Sequence, residues 1–287
     1  MTYVLKFGGG DGINHAALAR DVAKLASQGE KIIIVTGANA ELSRVQKERG
    51  ITPRMITSER GEKSRYTDEA TLELLKEVYG GVCRKVAELV TENGAEAQAF
   101  LGSEENLITA KRHGKMRIVE DEKVEHINSE ESETRRSPAS AGRRRVKVIS
   151  GDLTGSIENI NKEKLLELLD SGKVIVITPP AITTEGVEIN VDGDKVAAKI
   201  AVTLQADKLI FFSNTKGLLK DVENPESLIP EIKIAEADNY AVGRMKKKIL
   251  SAKRAIEAGV GEIIFADGRI ENSPIQKAIN GIGSKVF

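Results

Sequence analysis

Cysteine, tryptophan and long hydrophobic runs are scarce or missing in this sequence. Its 287 residues include one cysteine and no tryptophan, and aromatic residues make up 3% of the chain. The single cysteine, Cys83, cannot form an internal disulfide, so we interpret it as a small core residue in a reducing cytosol. The sequence has no 18-residue apolar run and no N-terminal signal peptide. We therefore expect a cytoplasmic protein, neither secreted nor membrane-spanning.

An excess of charge of either sign is also missing. The 43 basic residues balance the 43 acidic ones, so neither nucleic acid nor an anionic membrane is expected as the main partner. The three histidines (His15, His113 and His126) are scattered without ligand spacing, which argues against a protein-held metal. The chain is long enough for one large α/β domain or for two lobes with a real core.

The first glycine-rich turn is the strongest local signal. An apolar run at residues 3–5 leads into Lys6-Phe7-Gly8-Gly9-Gly10, and an amphipathic helix is predicted from about residue 15 to residue 27. Glycines let backbone N–H groups approach an anion, and the helix N-terminus adds the positive end of its dipole. On these residues alone, a phosphate site and a plain βα turn with a surface lysine remain equally open.

Strands and helices alternate through most of the chain. Apolar runs typical of buried strands are followed by small-residue turns and amphipathic helices. The predicted strands lie at about 31–35, 95–101, 174–177, 208–212 and 262–265, and the predicted helices at about 67–91, 162–171, 194–204 and 241–258. This alternation predicts a three-layer α/β/α sandwich with a mainly parallel central sheet, whose ligands bind at the carboxyl ends of the strands.

The pattern changes between about residues 107 and 152, and residues 50–64 are read as a polar loop. Alternating residues at 115–119 and 145–149 predict half-exposed antiparallel strands. The segment between them, about 120–144, opens acidic and closes basic, and we predict a mobile hairpin tip there. An exposed loop without a role and a docking arm for an acidic protein both remain open for it.

Charged residues near several turns could serve phosphoryl transfer, which needs cations on the moving group and Mg²⁺ on the nucleotide. Lys6 follows the first strand, Asp194 opens a helix, and Lys248 closes the string 243–248. Taken singly, Asp194 could be only a helix N-cap, and residues 246–248 only a solvated helix face. Arg65 could likewise be only a surface ion-pair residue.

Six motifs, in order along nearly the whole chain, carry a family resemblance. They are Lys6-Phe7-Gly8-Gly9, Val35-Thr36-Gly37, Arg65-Tyr66-Thr67-Asp68, the stretch 189–194, Ser213-Asn214-Thr215-Lys216-Gly217 and the string 243–248. With them the chain resembles the amino acid kinase family, in its acetylglutamate kinase branch. It is most similar there to kinases acting on 2-aminoadipate or glutamate attached to the small acidic carrier protein LysW. The resemblance implies a carbamate kinase-like fold with an antiparallel hairpin lid.

The resemblance also implies the roles of individual residues, with ATP and nucleotide-held Mg²⁺ as cofactors. Lys6 and Lys248 would stabilise the phosphoryl group in flight, and Asp194 would hold both ammonium groups. Backbone N–H groups would come from Gly8, Gly9, Gly37 and Ala38. Arg65 and Asn190 would grip the acceptor. The nucleotide would lie against Ser213, Asn214, Lys216, Gly217 and Leu219.

Two departures from the family pattern and several coarser expectations complete this interpretation. Gly10 stands where relatives carry serine, and Ala38 stands where they carry glycine, so a methyl could crowd an approaching oxygen. Arginines 143–145, at the base of a long hairpin, would suit an acidic carrier. We expect an acceptor-binding lobe at 1–180, a nucleotide-binding lobe at 181–287 and a homodimer. The alternatives are a kinase for free N-acetylglutamate and a non-catalytic nucleotide- or amino-acid-binding regulator.

Overall fold

The computed structural model describes residues 1–59, 61, 63–120 and 145–287. Most of the predicted hairpin tip and two of the three arginines at its base therefore lie outside the described residues. The elements of the first part are β1 (Thr2–Phe7), α1 (His15–Ser27), β2 (Lys31–Thr36), α2 (Asn39–Glu48), β3 (Met55–Thr57), β4 (Lys63–Arg65), α3 (Glu69–Glu92), β5 (Ala97–Leu101), β6 (Ile108–Arg112), β7 (Met116–Glu120) and β8 (Arg145–Ile149).

The second part continues the alternation of strands and helices. Its elements are β9 (Gly155–Ile160), α4 (Lys162–Asp170), β10 (Val174–Thr178), β11 (Ala181–Ile182), β12 (Glu188–Ile189), α5 (Gly193–Leu204), β13 (Lys208–Ser213), β14 (Glu231–Ile232), α6 (Ile234–Ala237), α7 (Arg244–Glu257), β15 (Glu262–Asp267), α8 (Pro274–Ile279) and β16 (Ser284–Val286). No helix in the described ranges is long and apolar enough to cross a membrane.

A central sheet runs through both halves of the chain in the order β14-β16-β15-β13-β1-β2-β10-β5. Six neighbouring strands of this sheet, from β15 to β5, are parallel, whereas β16 runs antiparallel to β15. The pairing of β1 with β13 joins the two parts from Tyr3↔Lys208 to Phe7↔Phe212. The predicted mainly parallel sheet is confirmed, and residues 1–180 and 181–287 both contribute strands to it.

Each central strand buries both of its faces, which explains the continuous apolar runs. In β2, Ile32 and Ile34 pack against the side of α1 and α3, while Ile33 and Val35 pack into the opposite cluster with α5. All four side chains are at most 1% exposed. Burying such a side chain contributes about 1.5–3 kcal/mol. Helices on both faces of the sheet give the predicted three layers.

Smaller sheets differ from the sequence-based interpretation. Residues 50–64, read as a loop, contain β3 and most of β4, which form a hairpin that ends with the pairing of Met55 and Arg65. A second sheet of order β12-β11-β6-β9 was not predicted, because its strands are short and half-exposed and a bulge interrupts the pairing of β6 with β9. The predicted antiparallel pair at the hairpin base is confirmed, since β7 pairs with β8 from Met116↔Ile149 onward.

Helix ends follow local side-chain chemistry. Asp68, the N-cap of α3, accepts a hydrogen bond from the backbone N–H of Thr71 at 2.8 Å. The N-cap of α5 is Asp192 and not Asp194: the Asp192 carboxylate accepts the backbone N–H of Asp194 at 2.9 Å and that of Lys195 at 3.1 Å. The reading of Asp194 as only an N-cap is therefore wrong. The Asp194 carboxylate does not cap the helix and can take another role.

Replacement of Phe265 tests the packing of the sheet against its helices. Phe265 is fully buried and stacks on Phe211 with ring centroids 5.3 Å apart. We expect Phe265→Ala to lower the free energy of unfolding by about 3–5 kcal/mol, because it leaves a cavity. Urea unfolding followed by circular dichroism measures this. Val222→Ala, at a side chain 54% exposed, is the control and should change stability by less than about 0.5 kcal/mol. A loss below about 1 kcal/mol for Phe265→Ala would contradict this packing.

Candidate active site

Strand alternation places the side chain of Lys6 on the same face of β1 as that of Val4. Val4 packs into the cluster that includes α5 and α7, whereas Leu5 and Phe7 pack into the opposite one. Lys6 therefore points towards α5 and α7, near the carboxyl end of the strand. Its side chain is 4% exposed, and its Nζ donates a hydrogen bond to the carbonyl oxygen of Phe7 at 2.7 Å. A buried lysine at this edge is not the surface lysine that the sequence left open.

Helices α5 and α7 bring a carboxylate and a second lysine to the same place. These helices pack together, which brings Lys248 to Asp194, 54 residues earlier in the chain. The Nζ of Lys248 lies 2.9 Å from each carboxylate oxygen of Asp194, and both side chains are mostly buried. The same Nζ lies 5.5 Å from the ring centroid of Phe211. The reading of residues 246–248 as only a solvated face is wrong for Lys248.

Lys6, Asp194 and Lys248 form a cluster, called the Lys6 cluster below. Burial and the charges within it shift the pKa values of Lys6 and Asp194. Burial lowers the pKa of the Lys6 ammonium to about 8, Asp194 and Asp192 oppose that effect, and Lys248 adds to it. Burial raises the pKa of the Asp194 carboxyl, but Lys248 and Lys6 outweigh it and hold that pKa below its usual range. Asp194 is therefore an anion at neutral pH. It contacts Lys248 directly and acts on Lys6 through its charge. No direct ion pair joins Lys6 to Asp194, both of which the structure describes.

Two glycine-bearing turns close over the Lys6 ammonium. A Cβ on Gly9 would lie 2.6 Å from the backbone nitrogen of Ala38, and a Cβ on Gly37 would lie 3.1 Å from Lys6 Nζ. A Cβ on Gly193, at the start of α5, would lie 3.1 Å from Lys6 Cε. Gly8 donates its backbone N–H to the carbonyl of Phe212 at 2.9 Å, which joins the first turn to β13. A side chain at Gly37 or Gly193 would crowd the Lys6 side chain, and one at Gly9 would collide with the backbone of residues 37–39.

Ala38 departs from the expected glycine without backbone strain. Its φ is −139°, a value open to any residue. Its side chain is 3% exposed and packs in a cluster with Leu42, Val78 and Tyr79. The backbone that carries Ala38 therefore keeps its place beside Gly9 while the methyl group is part of the core.

The predicted acceptor residues lie on separate elements. The guanidinium of Arg65, at the end of β4, donates to the Gln46 side-chain oxygen and to Ser43 Oγ. Burial lowers the pKa of Arg65, and these described partners are neutral oxygen atoms. Asn190 follows β12; its backbone N–H donates to the Leu153 carbonyl at 2.8 Å, and its carbonyl accepts from Gly155 at 3.0 Å. The structure does not bring Arg65 into contact with the Lys6 cluster, although both are described.

A tyrosine connects these two regions and was missed as a functional residue. Tyr79 on α3 donates its hydroxyl to the Asn39 side chain at 2.8 Å, directly after the Gly37-Ala38 turn. Burial raises the pKa of Tyr79 to about 12, with Arg65 and Asp192 close enough to act on it. Tyr79 lies within the predicted helix at about 67–91, and no local pattern singled it out. Asn39 had one signal, its place directly after a small-residue turn, and Gln46 had none.

The predicted nucleotide stretch follows β13. The amide of Asn214 lies beside Gly10, since a Cβ on Gly10 would be 3.5 Å from its Nδ2. Ser213 Oγ lies 3.0 Å from Thr215 Oγ1, and Leu219 forms an isolated bridge with Leu228. Gly217 has a φ of +151°, and a Cβ there would lie 2.6 Å from Ser284 Oγ. Lys216 is ion-paired with Glu226, and its side chain is 42% exposed.

In the described ranges, no group of three or more histidine, cysteine or acidic side chains is placed to hold a metal ion. Both oxygens of Asp194 already accept hydrogen bonds from Lys248. The donor chemistry of this site is cationic and suits an anion.

Known proteins resemble this chain in sequence and in fold. A family model described as the amino acid kinase family matches residues 1–267. LysW-aminoadipate kinase of Thermus thermophilus is 37% identical over 99% of this chain and 99% of its own. LysW-aminoadipate/LysW-glutamate kinase of Sulfolobus acidocaldarius is 30% identical over 94% of each chain. N-acetylglutamate synthase of Neisseria gonorrhoeae, solved with coenzyme A and N-acetylglutamate, shares the fold with a TM-score of 0.74. It is 23% identical over 99% of this chain and 59% of that chain.

Titration of Lys6 tests the electrostatics of the cluster. We expect its ammonium to titrate near pH 8 and not near the ~10.4 of a free lysine. NMR of the chain with ¹³C-labelled lysine measures this, with Lys6→Ala identifying the signal. Asp194→Asn should move the midpoint to lower pH, because it removes a negative charge that favours the ammonium. The control Asp170→Asn, at an exposed carboxylate paired with Lys31, should leave it unchanged. A midpoint above pH 10 would contradict the described burial.

Proposed function

The chain belongs to the amino acid kinase family, and on that premise we propose that it phosphorylates a side-chain carboxylate with ATP. The acceptor is 2-aminoadipate or glutamate attached to the acidic carrier protein LysW, and the product is an acyl phosphate. A carboxylate oxygen forms a bond to the γ-phosphorus, the bond from that phosphorus to the β–γ bridging oxygen breaks, and ADP leaves. The reaction belongs to lysine or arginine biosynthesis.

The observation that carries the proposal is the Lys248–Asp194 pair with Lys6 beside it at the carboxyl edge of the sheet. A phosphoryl group in transfer carries negative charge on its oxygens, and fixed cations stabilise that charge most strongly in a water-poor site. Lys6 and Lys248 would supply two such cations. Asp194 holds Lys248 through two hydrogen bonds and opposes the lowering of the Lys6 pKa by burial. Gly9 and Ala38 would add backbone N–H groups to the same edge. The predicted donors Gly8 and Gly37 would not, because their N–H groups already donate to the carbonyls of Phe212 at 2.9 Å and Phe7 at 3.0 Å.

The assignment of the acceptor rests on Arg65 and on the relatives. Arg65 donates to neutral oxygen atoms and is partly buried, so an α-carboxylate would find an unneutralised guanidinium there. Asn190 would bind the same acceptor from the other side. The two relatives that carry LysW in their names align over nearly the whole chain, which supports a carrier-bound acceptor.

Further parts of the proposal concern the nucleotide and the assembly. ATP would lie against the stretch from Ser213 to Leu219 and would bring Mg²⁺ on its own phosphates, which suits a site whose one central carboxylate is already paired. When bound, the metal would neutralise phosphate charge. The acceptor would bind mainly in the lobe at 1–180 and the nucleotide mainly in the lobe at 181–287. We propose a cytoplasmic homodimer.

Trapping of the acyl phosphate with hydroxylamine tests the reaction. With ATP, Mg²⁺ and LysW carrying 2-aminoadipate or glutamate, we expect a hydroxamate and one ADP per product. Lys6→Ala and Asp194→Asn should each lower kcat by about 10²–10³-fold, because each removes or misplaces charge on the phosphoryl group. The matched controls Lys24→Ala and Asp170→Asn, both at exposed positions, should keep normal rates.

The acceptors offered in the same assay separate the alternatives. Hydroxamate formed from free N-acetylglutamate, and none from carrier-bound amino acids, would replace the proposed acceptor with a free one. No acceptor-dependent turnover at all, with nucleotide binding retained, would favour a non-catalytic regulator. Near-normal rates in both Lys6→Ala and Asp194→Asn would refute the proposed catalytic roles.

A further inference from the structure

A buried aspartate outside the Lys6 cluster has no role in the chemistry proposed above. Asp152 is 2% exposed and lies between β8 and β9. Its carboxylate accepts a hydrogen bond from the backbone N–H of Thr67 at 2.7 Å and another from the hydroxyl of Thr154. The described residues offer it no ion pair with a lysine or arginine. A buried carboxylate with neutral partners is costly to keep, which asks for an explanation.

The partners of Asp152 connect the two elements that carry the proposed acceptor residues. On one side, Thr67 follows Arg65 by two residues, and its hydroxyl donates to the Arg65 carbonyl at 3.3 Å. The backbone of Leu153 donates to the Thr67 carbonyl at 2.6 Å. Asp152 and Leu153 thus hold Thr67 through both its N–H and its carbonyl. The turn at residues 65–67, which follows β4 and is called the Arg65 loop below, is thereby fixed at its end.

On the other side, the same segment holds Asn190. The Asn190 N–H donates to the Leu153 carbonyl at 2.8 Å, and Gly155 N–H donates to the Asn190 carbonyl at 3.0 Å. Thr154, whose hydroxyl is bound by Asp152, is the bridge partner of Asn190. The segment 152–155 is therefore a short ladder with the Arg65 loop on one side and the Asn190 strand end on the other.

We propose that Asp152 is a positioning residue. By holding the Arg65 loop against the strand end at Asn190, four residues before Asp194, it sets the distance from Arg65 to the phosphoryl-transfer end and thereby the acceptor length that the site selects. This inference rests on the proposed function. 2-Aminoadipate and glutamate differ by one methylene group, so a site that grips one end of the acceptor and reacts at the other must hold a defined span. A misplacement of about 1 Å at such a site can cost about 10²-fold in rate.

Steady-state kinetics of Asp152→Ala tests this, with LysW carrying either amino acid as the acceptor. We expect the KM for the acceptor to rise at least about tenfold, while the KM for ATP stays within about twofold. We also expect the ratio of kcat/KM between the two acceptors to change at least about threefold, because the span is no longer held. Asp152→Asn should restore most of the loss, since its oxygen can accept from Thr67 and its amide can donate to Thr154.

Asp21→Ala is the matched control. Asp21 is also a buried carboxylate, 5% exposed, and it accepts the backbone N–H of Ile275 at 2.8 Å and that of Gln276 at 3.3 Å. Its removal should lower the melting temperature without changing the ratio between acceptors. If Asp152→Ala does not fold, Thr154→Val, which removes one of the two hydrogen bonds, carries the test and should show the same changes at smaller size.

The outcomes separate this inference from the proposed function. Wild-type protein without acceptor-dependent turnover would remove the proposed function and this inference with it. Wild-type turnover with an acceptor ratio in Asp152→Ala equal to that in Asp21→Ala would refute the positioning role alone. A larger KM for ATP, with the acceptor KM unchanged, would also refute it.

Discussion

The rest of the site depends on one carboxylate, Asp194, which binds Lys248 through both oxygens and opposes the effect of burial on the Lys6 ammonium. Removing an ammonium group from water costs several kcal/mol unless an anion compensates. Burial indeed lowers the pKa of Lys6 to about 8, and Asp194 is the largest influence in the other direction. Stability alone does not explain this arrangement, because an apolar cluster of equal volume would pack without the cost of removing charges from water. It is readily explained by a bound anion whose charge grows during a reaction.

The fold supplies this arrangement from three distant parts of the chain. A parallel sheet aligns the carboxyl ends of β1, β2 and β13 at one edge, so their turns meet there. Helices α5 and α7, which cover one face of that sheet, contribute Asp194 and Lys248. Glycines at positions 9, 37 and 193 leave the space that the Lys6 ammonium and its surroundings occupy. Sheet, helices and turns are thus required together, and none of them forms the site alone.

The proposed acceptor region is built differently from the charge cluster. Arg65 lies at the end of a short hairpin, and Asn190 lies beside a small second sheet. Their relative position depends on hydrogen bonds of the segment 152–155 and not on the central sheet. A region held this way can change its span with few substitutions while the phosphoryl-transfer end stays constant. Relatives whose names give aminoadipate alone, or both aminoadipate and glutamate, are consistent with such a division.

Much of the fold was predictable because the central strands are buried on both faces and the helices are amphipathic. Continuous apolar runs such as Ile32 to Val35 and the capping chemistry of Asp68 are local signals, and the structure has both elements. The second sheet and the β3–β4 hairpin were missed because short, half-exposed strands leave little periodicity. Asp192 was missed as the cap of α5 because two aspartates stand two residues apart, and only backbone geometry selects one of them.

The sequence by itself determined the alternation of strands and helices, the glycine-bearing turns and the residue types available for phosphate chemistry. These features follow from interactions between residues close in the chain. Only the tertiary structure decided that Lys248 pairs with Asp194, that Lys6 contacts the Phe7 carbonyl and not that carboxylate, and that Tyr79 reaches Asn39. Such contacts join residues 40 or more positions apart or depend on one rotamer. No local pattern encodes them, because packing between whole elements selects them.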